Sequence, residues 1–447
     1  EDLDNMKTYY FRKLEPLDTL IQIQKDFPDD ASIAKVLAER LSGPFISEKE
    51  MMLQQYLIQE FKLDASKFKK RRKPTEIKEV YNVAVLFPFM LGSLEPDKRN
   101  RPNQFVIDMY EGIRIAVDSL KKQGVSIKLF AYETERDSAK FAQLLAKPEL
   151  KTMDLIIGPV FAHHHEMLGE FAYNNQINVV NPFGNSLSLV KNNEFMYLYQ
   201  PALETQAHKM ATLAGKSDSL RNRVIILYGE SSKDSVIAYA YRDSLKHLNY
   251  TIHKFLKVNK NSVREIKTAL GDSLALTKVN HIFVPSSDQV VAATVVSSMD
   301  VMRMDIPIVG YSEWINIQLM SYDQLERRKV HFLMPEYIDY TNPSVRNFKK
   351  AYIKKLDVFP SVYSYQGYEL MYVFGMHLKK YGNVFNDDVR KCGQLNGTTM
   401  GAFDYSCSNS NQVVPVIRFE NSYLKPVSEF KRPEYISAED LNPKKKK

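Results

Sequence analysis

The sequence predicts an α/β protein with two doubly wound parallel-sheet lobes, preceded by a small, mostly helical N-terminal region. Three observations predict it. From residue 80 onward, short apolar runs alternate with helical segments. The alternation restarts at "NRVIILYGE" (222–230), giving a second block. Residues 1–75 follow neither block and are rich in Glu, Lys, Asp, Leu and Gln. Repeated βα units build parallel sheets with right-handed crossovers. With 447 residues, 44% of them apolar, the chain is long enough for two to three domains.

In the N-terminal region, "ASIAKVLAERL" (31–41) and "SEKEMMLQQYLIQEFKL" (47–63) have helical apolar spacing. Ser47 followed by Glu50 is a capping-box pattern. The basic residues of 67–73, with Pro74 after them, read as a linker.

The first block opens with "YNVAVLFPF" (81–89), a continuous apolar run suited to a strand covered on both faces. The helix "FVIDMYEGIRIAVDSLKK" (105–122) and the strand "SIKLFAYET" (126–134) follow. Then come a helix capped by Asp137, the strand "MDLIIGP" (153–159), a helix over 163–175 and the strand "INVVNPF" (177–183). In the second block, strands over 222–230, 251–259, 279–287 and 306–312 alternate with helices over 233–248, 262–276 and 289–302. Asn342-Pro343 starts a further helix, and 363–382 is an amphipathic helix that needs a sheet and is placed back on the first lobe. This assigns 80–200 plus 335–385 to lobe 1 and 201–334 plus 386–430 to lobe 2, with a basic tail at 431–447. Crossings are expected near Gln200-Pro201, Met334–Tyr337 and 385–395.

The net charge of +8 is concentrated partly in 67–73 and Lys444–Lys447, which read as a solvated linker and tail or as an anion-attracting patch. No basic-aromatic motif accompanies them, so nucleic acid is not an expected partner. The longest apolar run, "VAVLFPFML" (83–91), is about half the length of a membrane span, so no transmembrane segment is expected. Cys392 and Cys407 flank a polar loop; they form a disulfide in an oxidising compartment or remain two free thiols.

Open α/β sheets bind ligands at the carboxyl ends of their strands. The loops there supply the candidate ligand-binding residues Phe89, Pro159, His163, His164, Asn185, Ser186, Tyr228, Ser286, Ser287, Asp288 and Trp314. Each has a plainer alternative. The His163-His164-His165 run is either a solvated helix start or a source of cleft hydrogen bonds. Adjacent helical residues point about 100° apart, so it is a poor metal set. Asp288 caps the next helix or contacts ligand, Trp314 is a cleft platform or a packing residue, and Phe89 is a stacking surface or core. Glu230 reads as a rim charge. No nucleophile elbow, Walker loop, H-E-x-x-H or dinucleotide fingerprint occurs, so a non-enzymatic protein without metal or cofactor is expected.

From about residue 80 to 430, "VAVLFPF", "YEGIRIAVDSLKKQG", "MDLIIGPVF", "INVVNPFGN", "HIFVPSSD" and "PEYIDYTNPSVRNFKKAYIKKLDVFPSVYSYQGYELMYVF" resemble the type I periplasmic solute-binding fold of the receptor ligand-binding region family. More narrowly they look like a Bacteroidetes group that often carries peptidoglycan-binding LysM repeats. "YYFRKLEPLDTLIQIQKDF" (9–27) is a partial echo of a LysM strand and helix, with Leu17 where that module has Gly; the alternative is a helical adaptor. The resemblance implies a clamshell that closes on a small polar ligand in the periplasm or at the outer membrane, or a lipoprotein-like scaffold for peptidoglycan or envelope partners. In the amino-acid-binding members a Ser hydroxyl and a Ser/Thr loop hold the ligand carboxylate. Here Ala162 and Asn185 match those positions, and Ala162 has no side-chain donor, which argues against an α-amino-acid ligand.

Overall fold

The N-terminal region forms four helices in the computed structural model, which describes residues 2–14, 17–42, 48–68, 73–90, 103–190, 193–215 and 221–430. Ser47 of the expected capping box, basic residues 69–72, the loop 91–102 and the C-terminal lysines lie outside the described residues. Helices α1 (Asp2–Arg12), α2 (Leu17–Asp26), α3 (Ala31–Arg40) and α4 (Glu48–Glu60) close on Leu20, Leu37, Leu41 and Leu57. Asp30 starts α3 by accepting the Ser32 and Ile33 amides, and it pairs with Lys7 at 2.8 Å. Tyr9–Arg12, where a LysM module would have a strand, are helical. The helical alternative is the one observed.

Lobe 1 contains β1 (Val80–Phe87), α5 (Gln104–Lys122), β2 (Ser126–Glu133), α6 (Ser138–Leu145), β3 (Leu155–Ile157), α7 (His165–Asn175), β4 (Asn178–Asn181) and β5 (Met196–Leu198). The strands are parallel in the order β2-β1-β3-β4-β5. Side chains alternate across a strand. Val83, Val85 and Phe87 therefore enter one core layer, while Ala84 and Leu86 enter the other.

Lobe 2 contains α8 (Leu203–Gly215), β6 (Arg223–Tyr228), α9 (Ser232–His247), β7 (Thr251–Lys257), α10 (Val263–Ala269), α11 (Ser273–Leu276), β8 (Val279–Val284), α12 (Gln289–Val301), β9 (Ile308–Tyr311), α13 (Tyr322–Arg327) and β10 (His331–Leu333). The expected single helix over 262–276 is two. It breaks at Gly271, and Asp272 caps the second piece by accepting the Ala275 amide. Then follow α14 (Pro343–Leu356), α15 (Val362–Tyr381), α16 (Asn386–Lys391), β11 (Gln394–Asn396), β12 (Ala402–Asp404), β13 (Val416–Glu420) and β14 (Tyr423–Pro426). The second sheet runs β14-β13-β10-β9-β8-β6-β7, with β13 and β14 antiparallel at one edge. Its β7-β6-β8-β9-β10 portion repeats the first lobe's order, with β6 in the place of β1.

Helix α15 returns to lobe 1 and packs on α5. The approach is close enough that a Cβ on Gly112 or Gly367 would lie 2.0 Å from the Ser364 or Met109 carbonyl oxygen. The third crossing is later than the sequence suggested. Phe385, Val389, Phe403 and Tyr405 lie in the lobe 1 core, and Ser410 bridges Leu198 beside β5. Residues 386–411 therefore pack with lobe 1, and the chain crosses at Gln412–Pro415 before β13 joins lobe 2. The reason is aromatic burial: Tyr405 stacks edge-on with Tyr197, 5.5 Å between centroids. The expected disulfide is also absent. Both cysteines are free, with Cys392 Sγ against the Tyr381 hydroxyl and Cys407 exposed.

Candidate ligand cleft

The carboxyl end of β4 delivers Phe183 and Asn185. That of β9 delivers Tyr311, Ser312 and Glu313, and that of β10 delivers Leu333, Pro335 and Glu336. With Lys233 from the start of α9 and Tyr363 and Gln366 from the first turns of α15, they line a cavity of about 340 Å³ between the lobes. Crossing residues Gln200 and Pro335 form part of its wall. Opposed strand tips of two doubly wound sheets are where this architecture binds ligands.

The two walls differ chemically. On lobe 1, Phe105, Phe183 and Tyr363 pack as a ring cluster with centroids 5.4–6.2 Å apart. Beside them Gln366 is 4% exposed and, among the described residues, its Oε1 has no hydrogen-bond partner. A buried amide oxygen left unsatisfied is destabilising unless a ligand or solvent donates to it. On lobe 2, Ser312 donates to Glu336 Oε1 at 3.0 Å. Lys233 sits 4.4 Å over the Tyr311 ring and 3.8 Å from Glu313, so its charge is already engaged. Tyr311 donates to Asp234 at 3.0 Å, and burial together with that carboxylate pushes its phenol far above the usual tyrosine range. Asp234 is itself fixed by a reciprocal capping box with Ser231. Among the described residues the lining thus carries one ammonium against two carboxylates. It can bind and orient a polar solute, and its acceptors outnumber its free donors.

Of the residues expected at the site, Asn185 lines this cavity. The others do not line it. Phe89 is buried between Phe87 and Tyr110, and Pro159 is buried beyond β3. His163 bonds the Arg136 carbonyl at 2.7 Å, and His164 is buried flat against Phe141 at 4.0 Å rather than solvated. His165 is held between Leu189 and Asn181, and burial lowers its pKa. Ser186 pairs with Ser188, and Tyr228 packs on Phe255 at 4.9 Å. Ser286 and Asp288 order the start of α12, where Asp288 accepts the Val290 and Val291 amides, while Ser287 is exposed. Trp314 is fully buried and donates to the Ser286 carbonyl at 2.7 Å, so it is a packing residue and not a cleft platform. The sequence reading missed Glu336 and Gln366. Glu336 lies in a crossing, and Gln366 looks like one more polar residue at a helix start.

A second, larger cavity of about 980 Å³ lies along the β14 edge, and Glu336 and Val362 line it as well as the cleft.

A family model described as periplasmic binding protein matches residues 104–404. No curated protein matches the chain. Among solved structures, a putative branched-chain amino acid ABC transporter protein from Rhodospirillum rubrum superposes with a TM-score of 0.60 at 11% identity. An ABC transporter substrate-binding protein from Desulfitobacterium hafniense in complex with Leu does so at 0.52 and 16%. Each match covers 78% of this chain and 100% of the other. At these identities the likeness is one of fold. With two thirds of its length matched, the chain belongs to the periplasmic binding protein family.

Proposed function

We propose that this chain is a non-enzymatic, cell-envelope solute-binding protein whose two lobes close on a small polar ligand, acting in the periplasm or at the outer membrane. The observation that carries the reading is Gln366: a buried acceptor without a partner among the described residues, on the wall of a cavity to which both lobes contribute. The three crossings at Gln200-Pro201, Pro335 and Gln412–Pro415 supply a hinge, and family membership supports periplasmic ligand capture. Among the described residues no helix is long and apolar enough to cross a membrane.

A thermal-shift screen with amino acids, amines, sugars, peptides and muropeptides tests it. A ligand at about 100 times its Kd adds about 2.7 kcal/mol of stability. At the same ligand concentration the shift should fall to about half in Gln366→Leu, as a roughly tenfold weaker Kd requires. A second reading, a lipoprotein-like scaffold for peptidoglycan or outer-membrane machinery, is favoured by the exposed apolar residues Leu3, Met6 and Tyr10 on α1. It alone survives if no small molecule shifts the melting curve and an envelope protein co-purifies through the N-terminal helices.

A further inference from the structure

We infer that the ligand has two parts: an amine head held in the cleft and a larger apolar body, of the kind a short apolar peptide with a free N-terminus provides, lying in the adjoining groove along β14. The inference rests on the solute-binding reading and specifies its ligand. The two cavities share Glu336 and Val362, so a molecule anchored at Glu336 borders both. The larger space belongs to the groove, about 980 Å³ against about 340 Å³ for the cleft.

The cleft asks for donors. Among the described residues, Glu336 spends one oxygen on Ser312 while its second carries no hydrogen bond, and Gln366 Oε1 is buried and unpaired. Among the described residues of the cleft the cation is Lys233, which lies against Tyr311 and Glu313, and the groove's cation is Lys425. An ammonium carries the donors that both acceptors take, and both residues line the cleft. The groove asks for apolar surface with scattered polar groups. Its walls include Tyr340 and Tyr423, exposed by 62% and 64%, together with Phe419, Leu424, Thr341, Asp339 and Lys425. A tyrosine-lined wall interspersed with hydroxyl and carboxylate groups matches a peptide's amides and apolar side chains better than a bare hydrocarbon.

Calorimetric titration of the full chain with leucinamide, trileucinamide and N-acetyl-trileucinamide tests this. Trileucinamide should bind about tenfold or more tighter than leucinamide, and acetylation should lose about tenfold or more. Tyr340→Ala should weaken trileucinamide several-fold and leave leucinamide unchanged, whereas Glu336→Gln should weaken both. Equal binding of leucinamide and trileucinamide, or of the free and acetylated peptides, would overturn the two-part ligand while leaving the cleft as a solute site. Absence of heat with every amine, alongside a shift with another solute, likewise overturns it. If no small molecule binds, the solute-binding reading fails with it.

Discussion

Glu369 is a fully buried carboxylate on α15 that takes five hydrogen bonds from the amides and hydroxyls of Thr398 and Thr399 and the amide of Met400. Backbone and hydroxyl donors converging on one anion are strong because each bond is charge-assisted. They fasten the turn before β12 against the helix that carries Gln366, next to Tyr199 at the hinge. Glu369→Ala strips the turn of its acceptor and should cost about 3 kcal/mol by denaturant unfolding. An unchanged midpoint would mean the turn is held by other contacts. In the cleft, Gln366→Leu replaces an unsatisfied acceptor with an apolar group of similar length. It should leave the unliganded protein as stable or slightly more so, and weaken a donor-bearing ligand by about tenfold, read by calorimetry.

Packing between elements sets where those side chains stand. Helices α5 and α15 touch through Gly112 and Gly367, and any Cβ there meets a carbonyl oxygen at 2.0 Å. Gly367→Ala must push α15 away and should destabilise by about 3 kcal/mol, with a matching loss of ligand affinity because Gln366 moves with the helix. Asp288 caps α12 outside the cavity, so Asp288→Ala should cost about 1 kcal/mol in thermal unfolding and leave ligand affinity unchanged. At this scale the sequence was readable. Apolar runs such as "VIILY" are strands because both faces are covered, and Asp137, Asp288 and Asn342 begin helices as their side chains require. What it hid is three-dimensional. Trp314 looks like a ligand platform until its indole is seen turned inward to Ser286. The third crossing was misplaced because nothing local in 386–411 reveals that Phe403 and Tyr405 pack beside Tyr197 and Tyr199. Glu336 and Gln366 come to line one cavity only through the tertiary fold.

The whole molecule carries several buried histidines that it keeps neutral. Burial pushes His331 down to about 3, and burial also lowers His165 and His377. The unfolded chain takes up a proton on each near pH ~6.5, whereas the folded one resists. Their contribution is therefore complete above that pH and is lost progressively as pH falls toward the folded values. Between about pH 7 and about pH 5, His331 alone should account for about 2 kcal/mol of lost unfolding free energy. Urea titrations at the two pH values measure it, and equal stabilities would contradict the burial of these rings as described. The same lobes must also move as bodies on their three crossings if the cleft is to trap a solute. Hydrogen exchange with and without the compound that gives the largest thermal shift tests this most directly. Protection should appear together at 183–185 on lobe 1, at 311–313 on lobe 2, along the 333–336 crossing and at 362–366 on α15. Protection confined to one lobe, or lying wholly outside these segments, would contradict ligand capture between the lobes.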